Sequence, residues 1–184
     1  MAALCCVIVG MGLPTAASYL MVVFIAAPAI TNLGLSVIST HLFIFYYAVL
    51  SAITPPVALN AYAASGIAKS SPLSIGFASV RIGLVGFMLP FMWIYNPDII
   101  LGDGHSLIVS ALGIVACLIA IYLLGAANIG YLCRTLNVPE RVISALVGLM
   151  LITPAVFMIS YVWKLTGIVL AAALYLWFRR GRQS

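Results

Sequence analysis

Two short stretches, GMGLPT at Gly10–Thr15 and ITPPV at Ile53–Val57, interrupt an apolar sequence that runs to residue 68 without Asp, Glu, Lys or Arg. The runs on either side are uncharged and helix-like. Each interruption places proline, or glycine and proline together, where a helix cannot continue unbroken. The sequence therefore predicts two backbone breaks, about 40 residues apart, inside apolar helices.

The composition places these helices in a membrane. The 184 residues are 65% hydrophobic and 6% charged, whereas a soluble domain carries about 25% charged residues. Membrane β-barrels alternate apolar and polar residues, but this chain has long continuous apolar runs. We therefore predict an all-α integral membrane protein. Because about 20 apolar residues span the hydrocarbon core, the chain has room for roughly five or six segments.

The apolar runs divide the chain into six helical segments in two parts. We predict a helical hairpin over 1–30, a broken helix over 37–66 and a helix over 73–95, followed by helices over 107–125, 142–163 and 165–178. Pro154 is expected to bend the fifth segment, and the sixth is short for a full crossing. The chain opens inside an apolar run without a polar lead-in, so we expect Met1 to be an internal methionine of a longer protein.

The charged residues predict how the segments are oriented. Lys and Arg in short loops favour the cytoplasmic side, which places Lys69, the loop with Arg134 and Arg141, and the Arg-rich C-terminus there. The loop with Asp98 and Asp103 then lies outside. Alternating crossings also place residues 31–36 outside, so segment 1–30 enters from outside and returns. It is therefore predicted to be a re-entrant hairpin. The basic residues are expected to set topology and not to bind nucleic acid.

The two breaks have a chemistry of their own. Broken backbone at membrane depth is tolerated only where it is buried in protein or lines an aqueous cavity. Half-helix C-termini offer carbonyls to Na⁺, and half-helix N-termini attract an anionic substrate. Oxygen-bearing side chains, which suit a hard cation, lie at the first break (Thr15, Ser18) and around the second (Ser51, Thr54, Asn60). The alternative is a pair of proline kinks packed against neighbouring helices.

The same stretches carry a family resemblance. GMGLPT at 10–15, followed by ITPPV at 53–57, Asn60 and ASGIA at 64–68, resembles the large membrane subunit of TRAP (tripartite ATP-independent periplasmic) transporters. The resemblance covers about residues 1–95 and implies the second inverted repeat of an elevator-type transporter. Residues 96–184, with Pro139–Arg141 and Leu151–Pro154, resemble the C-terminal extension of the fused-permease branch. The first repeat and the small membrane subunit are absent from this sequence.

The resemblance also implies a function and a site. It implies a permease of the bacterial inner membrane that imports organic acids such as C4-dicarboxylates with Na⁺, its coupling ion, and needs no cofactor. Its partners would be a periplasmic binding protein that delivers the substrate, the N-terminal remainder of the permease and the small membrane subunit. Carried onto this chain, the Na⁺ site takes Gly10, Gly12 and Thr15 from the hairpin tip and Thr54, Pro55 and Asn60 from the broken helix. The substrate residues are Thr15, Ser18, Asn60 and Arg81.

Other interpretations remain open from the sequence alone. Arg81, inside a predicted helix, either attracts a carboxylate or extends toward the headgroups, and His41 is either a proton relay or a packed, hydrogen-bonded histidine. The chain could be an assembly module without a solute site of its own. A membrane enzyme is the third possibility, but the three acids (Asp98, Asp103 and Glu140) lie in predicted loops and no catalytic motif is present. We therefore predict that the chain is not an enzyme.

Overall fold

A computed structural model of the chain describes residues 2–100, 107–132, 134–153 and 160–180. These residues are mostly helical. The α-helices are α1 (Ala2–Gly10), α2 (Thr15–Thr31), α3 (Val37–Ser51), α4 (Leu59–Ala68), α5 (Pro72–Ile82), α6 (Leu89–Tyr95), α7 (Leu107–Ile129), α8 (Val138–Ile152) and α9 (Ser160–Arg180). The chain divides into two compact units, residues 1–90 and 91–184. The boundary falls within α6.

In the first unit, α1, α2 and α3 pack against one another. The turn from α2 to α3 contains Gly34, whose φ of 88° lies in the left-handed region that glycine tolerates best. Ser36 then caps α3, because its hydroxyl accepts the backbone N–H of Ser39 at 3.1 Å. The core between these helices includes the buried side chains of Val22 and Ile44.

The segment from α5 to α6 is helical throughout but changes its hydrogen-bonding pattern. Residues Gly83–Met88 form a 3₁₀ stretch between the two α-helices, a detail that the predicted helix over 73–95 lacked. Pro90 has no N–H to bond the Gly86 carbonyl four residues earlier, and the Leu89 N–H bonds that carbonyl instead, as a 3₁₀ helix requires. The Tyr47 hydroxyl of α3 donates to the Phe87 carbonyl at 2.7 Å and ties α3 to this stretch.

Two helical segments among the described residues are long and apolar enough to cross a membrane. They are Pro72–Tyr95, with 24 residues, and Leu107–Ile129, with 23. Together with the helical fold of the described residues, they agree with the all-α membrane class predicted from the composition. The re-entrant topology of segment 1–30 and the inverted repeat remain predictions.

In the second unit, α7, α8 and α9 pack together, and their bounds differ from the predicted ones. Helix α7 continues to Ile129 and not only to residue 125, because the glycine that ends it is Gly130 with a φ of 83°. Helix α8 begins at Val138 and not at residue 142, because Asn137 and Glu140 form a capping box. Its last residue is Ile152, and residues 154–159, with the bend predicted at Pro154, lie outside the described residues.

Helix α9 is longer than the 14 residues predicted for it. It runs from Ser160 to Arg180, which is 21 residues. At 1.5 Å per residue it is about 30 Å long, close to the thickness of the hydrocarbon core. The predicted segment 165–178 left out the residues at both ends, including Lys164, which the structure buries.

Close packing of α7 and α8 depends on Gly148. A Cβ at Gly148 would lie 2.9 Å from Cγ of Leu124 and 3.3 Å from the Ala120 carbonyl oxygen, and small residues allow membrane helices to approach this closely. We expect Gly148→Ala to destabilise the protein by about 1–3 kcal/mol, the usual cost of overpacking. Thermal unfolding in detergent measures this. The control is Gly125→Ala on α7, where a Cβ would meet nothing within 4 Å. Equal stability of the two variants would contradict the packing described here.

Candidate functional site

The first break separates α1 from α2 at Met11–Pro14. Gly12 adopts a φ of 80°, which a side chain would strain. Pro14 has no N–H, so the Gly10 carbonyl, four residues earlier, loses its helical donor. The Leu13 N–H reaches that carbonyl only at 3.4 Å. The sequence GMGLPT thus ends one helix and starts another, and it leaves the last carbonyl of α1 weakly bonded within its own segment.

The second break separates α3 from α4 at Ala52–Ala58. Pro55 and Pro56 cannot bond the carbonyls of Ser51 and Ala52, which lie four residues earlier. Other donors replace them. The Thr54 N–H bonds the Ser51 carbonyl at 3.2 Å, and the Asn60 N–H bonds the Ala52 carbonyl at 3.0 Å. The last of these bonds joins the start of α4 to the end of α3 across the break.

The two breaks meet at Gly10. The Ser51 hydroxyl, at the end of α3, lies 3.0 Å from the Gly10 carbonyl oxygen and donates to it across 41 residues of sequence. A Cβ at Gly10 would lie 2.4 Å from Ser18 Oγ and 2.9 Å from Ser51 Oγ. A Cβ at Gly12 would lie 3.3 Å from Cγ1 of Val57. Glycine is therefore needed at Gly10 for α1 to approach α2 and α3 this closely.

Helix α5 packs closely against the second break. A Cβ at Gly76 would lie 3.0 Å from Cγ of Pro55 and 3.3 Å from Cβ of Ala58. Ala58 itself has a φ of 40°, in the left-handed region. The break is thus held in place by tertiary contacts, and these contacts have no short-range sequence signal.

Ser18 carries a buried hydroxyl at the same junction. It is 0% exposed, and its Oγ has no hydrogen-bond partner among the described residues. Such a group carries an unmet desolvation cost unless an ion or a water satisfies it. The Ser18 and Ser51 hydroxyl oxygens therefore lie next to Gly10 and add to its carbonyl oxygen. None of these three oxygens belongs to a charged side chain. Uncharged oxygens of this kind can take a hard cation or a water molecule.

The other predicted site residues lie around this junction. Thr15 begins α2 and is half-buried, whereas Asn60 is exposed. Neither side chain forms a hydrogen bond with the described residues. Thr54 and Pro55 are half-buried in the second break, and the Thr54 hydroxyl donates to the Leu50 carbonyl at 2.7 Å. Their roles as ligands remain predictions. Ser51 was noted from the sequence as a neighbour of the second break, but its contact with Gly10 was not predicted.

Two further residues discussed from the sequence, Arg81 and His41, lie in the same unit. Arg81 lies in the last turn of α5 with an exposed side chain. His41 is half-buried on α3, and its Nδ1 lies 2.7 Å from the Tyr19 hydroxyl of α2 in a hydrogen bond. This bond agrees with the packed, hydrogen-bonded histidine that was one of the two interpretations. Within the described residues, no group of three or more His, Cys, Asp or Glu side chains could hold a metal ion.

A family model matches more than half of the chain. The model described as "Tripartite ATP-independent periplasmic transporter, DctM component" matches residues 1–103, which include both breaks and the residues that meet at Gly10. No curated protein matches the chain, and no solved structure matches it.

Proposed function

The chain belongs to the family of the DctM component of tripartite ATP-independent periplasmic transporters, and from this premise we propose that it is the C-terminal part of a permease that imports organic acids with Na⁺. The family is one of transporters, so the chain is a component of a TRAP permease in the inner membrane. The contact of the two breaks at Gly10 and Ser51 carries the proposal, because it brings the C-terminal ends of α1 and α3 to one buried point.

The coupling ion would bind where the two breaks meet. Helix ends at membrane depth offer carbonyl oxygens, and hydroxyl groups add to them. The carbonyls of Ser51, Ala52 and Thr54 each accept a backbone hydrogen bond, but a carbonyl has a second lone pair that remains available. We propose that Gly10, Gly12, Thr15, Thr54, Pro55 and Asn60 supply the Na⁺ site. The absence of charge from residues 1–68 suits a site that binds and releases a monovalent ion.

The substrate and the partners follow from the family. We propose C4-dicarboxylate-like organic acids, bound with help from Thr15, Ser18, Asn60 and the positive charge of Arg81, and delivered by a periplasmic binding protein. The N-terminal remainder of the permease and a small membrane subunit would complete the transporter. Residues 1–95 would belong to the transport domain and residues 96–184 to a C-terminal extension. The positive-inside rule would place the C-terminus in the cytoplasm.

Uptake measured with the complete transporter and its binding protein tests this function. We expect succinate uptake into proteoliposomes to require an inward Na⁺ gradient. Thr15→Val with Thr54→Val keeps the side-chain shape but removes two oxygens near the breaks, so we expect the Na⁺ concentration for half-maximal uptake to rise about tenfold, the equivalent of about 1.4 kcal/mol.

The control variant is Thr31→Val at the far end of α2. Its hydroxyl bonds the Ala27 carbonyl of its own helix at 2.9 Å, so its loss should leave the Na⁺ dependence unchanged. Uptake that does not depend on Na⁺ would overturn the proposed coupling. An unchanged half-maximal Na⁺ concentration in the double variant would remove Thr15 and Thr54 from the site.

A further inference from the structure

The Ser51 hydroxyl makes the shorter of the two hydrogen bonds to the Gly10 carbonyl at the first break. The Gly10 carbonyl lacks its helical donor because residue 14 is proline, and the Leu13 N–H is 3.4 Å away. Ser51 supplies the shorter bond, at 3.0 Å, from a different helix. We propose that Ser51 is a positioning residue that holds the first break against the second in the geometry that binds the coupling cation. This inference rests on the proposed function.

The hydroxyl of Ser51 has one proton and two acceptors within reach. Besides the Gly10 carbonyl, the Ala48 carbonyl of its own helix lies at 2.7 Å. When the proton points to Gly10, the end of α1 is bonded to the end of α3. When it points to Ala48, that bond is lost and the Gly10 carbonyl keeps only its long contact with Leu13. The hydrogen bond between the two breaks therefore depends on which of the two carbonyls the Ser51 proton faces.

Ser144 provides a matched comparison outside the proposed sites. Ser51 and Ser144 are both 0% exposed, and each lies in a helix, Ser51 in α3 and Ser144 in α8. The Ser51 hydroxyl is bonded to the Gly10 carbonyl, whereas Ser144 Oγ has no hydrogen-bond partner among the described residues. If the loss of any buried hydroxyl mattered, both alanine variants would change in the same way. If the bond to Gly10 matters, only the change at Ser51 will alter cation binding.

The test compares Ser51→Ala with Ser144→Ala in the complete transporter. Two quantities are measured for each: the Na⁺ concentration for half-maximal succinate uptake, and the rise in melting temperature when Na⁺ replaces K⁺ at equal ionic strength. We expect Ser51→Ala to raise the half-maximal Na⁺ concentration about fivefold, the equivalent of one net hydrogen bond, and to reduce the Na⁺-dependent rise in melting temperature. Ser144→Ala should stay within twofold of the wild type. Ser51→Cys, a weaker donor of similar size, should fall between the wild type and Ser51→Ala.

The outcomes separate this inference from the proposed function. A wild-type protein that shows neither Na⁺-dependent uptake nor Na⁺-dependent stabilisation overturns both. A wild type that responds to Na⁺, with the same response in Ser51→Ala and Ser144→Ala, overturns the role of Ser51 and leaves the function standing. The melting temperature in K⁺ shows whether each variant is folded. A variant with a wild-type value in K⁺ and a weakened response to Na⁺ supports positioning and excludes a general loss of structure.

Discussion

Gly10→Ala is expected to destabilise the protein and to reduce transport at least about tenfold. The added Cβ would lie 2.4 Å from Ser18 Oγ and 2.9 Å from Ser51 Oγ, and 3.2 Å from Cβ of Ser51. These groups are short and buried, so α1 itself must move away. Overpacking of this kind costs about 1–3 kcal/mol, and 1.4 kcal/mol is a factor of ten in an equilibrium. The variant should also lose the bond from Ser51 to the Gly10 carbonyl.

Gly66→Ala on α4 is the matched control for Gly10→Ala. It makes the same chemical change inside a helix of the same unit, but a Cβ there would meet nothing within 4 Å. Alanine is about 1 kcal/mol more favourable than glycine in a helix interior, so this variant should be as stable as the wild type or slightly more stable. Thermal unfolding in detergent and uptake by the complete transporter measure both variants. If Gly10→Ala matches Gly66→Ala in both assays, α1 does not pack against α3 as described.

A partial rescue should follow from the same geometry. Ser18→Ala removes the oxygen that the new Cβ at residue 10 would approach most closely, whereas it leaves the contact with Ser51. We therefore expect Gly10→Ala with Ser18→Ala to recover part of the lost stability. The stability effects of substitutions that share a packing site are not additive. A recovery in the double variant would therefore show that the clash occurs between residues 10 and 18, at the junction of the two breaks.

The location of both breaks could be predicted from the sequence, but their contact could not. Gly10, Pro14 and the pair Pro55–Pro56 interrupt a helix by local chemistry alone. The bond from Ser51 to Gly10 joins residues 41 positions apart, and it depends on how three helices pack. The same holds for Gly76, whose close contact with Pro55 cannot be read from one segment. The oxygen-bearing residues were thus predictable as a set, and their arrangement was not.

Some differences had a signal in the sequence. Asn137-Val-Pro-Glu140 has the cap, the early proline and the acidic third residue that begin a helix, yet the prediction kept these residues in a loop because they are polar. Similarly, the predicted helix over 107–125 ends at Gly125, whereas the residue with the left-handed φ is Gly130. The 3₁₀ stretch before Pro90 had a weaker signal. At the Gly86 carbonyl, the Leu89 N–H replaces the missing N–H of Pro90. A proline in the sequence predicts the loss of its own bond, but it does not predict whether a 3₁₀ stretch or a kink results.

Loss of the Glu140 carboxylate is expected to lower the stability of the second unit strongly. Glu140 pairs with the Arg134 guanidinium through Oε1, and its Oε2 accepts the Asn137 N–H at 2.9 Å. The Glu140 side chain is 8% exposed and that of Arg134 28% exposed. Removing one partner of a buried pair costs 3–5 kcal/mol, and the partial exposure of Arg134 places Glu140→Ala at the lower end, about 3 kcal/mol. Each kcal/mol lowers the melting temperature by about 2–4 °C at this chain length.

Glu140→Gln separates the two contributions that Glu140→Ala removes together. Glutamine keeps an oxygen that can accept the Asn137 N–H and so preserves the capping box, but it loses the charge that Arg134 pairs with. We therefore expect a loss between those of the wild type and Glu140→Ala. Because the two residues interact directly, Arg134→Ala with Glu140→Ala should cost less than the sum of the single changes. Additive losses of stability in this cycle would mean that the pair behaves as an exposed surface ion pair. A loss of less than about 1 kcal/mol for Glu140→Ala would mean the same. The start of α8 would then depend on Asn137 and Pro139 alone.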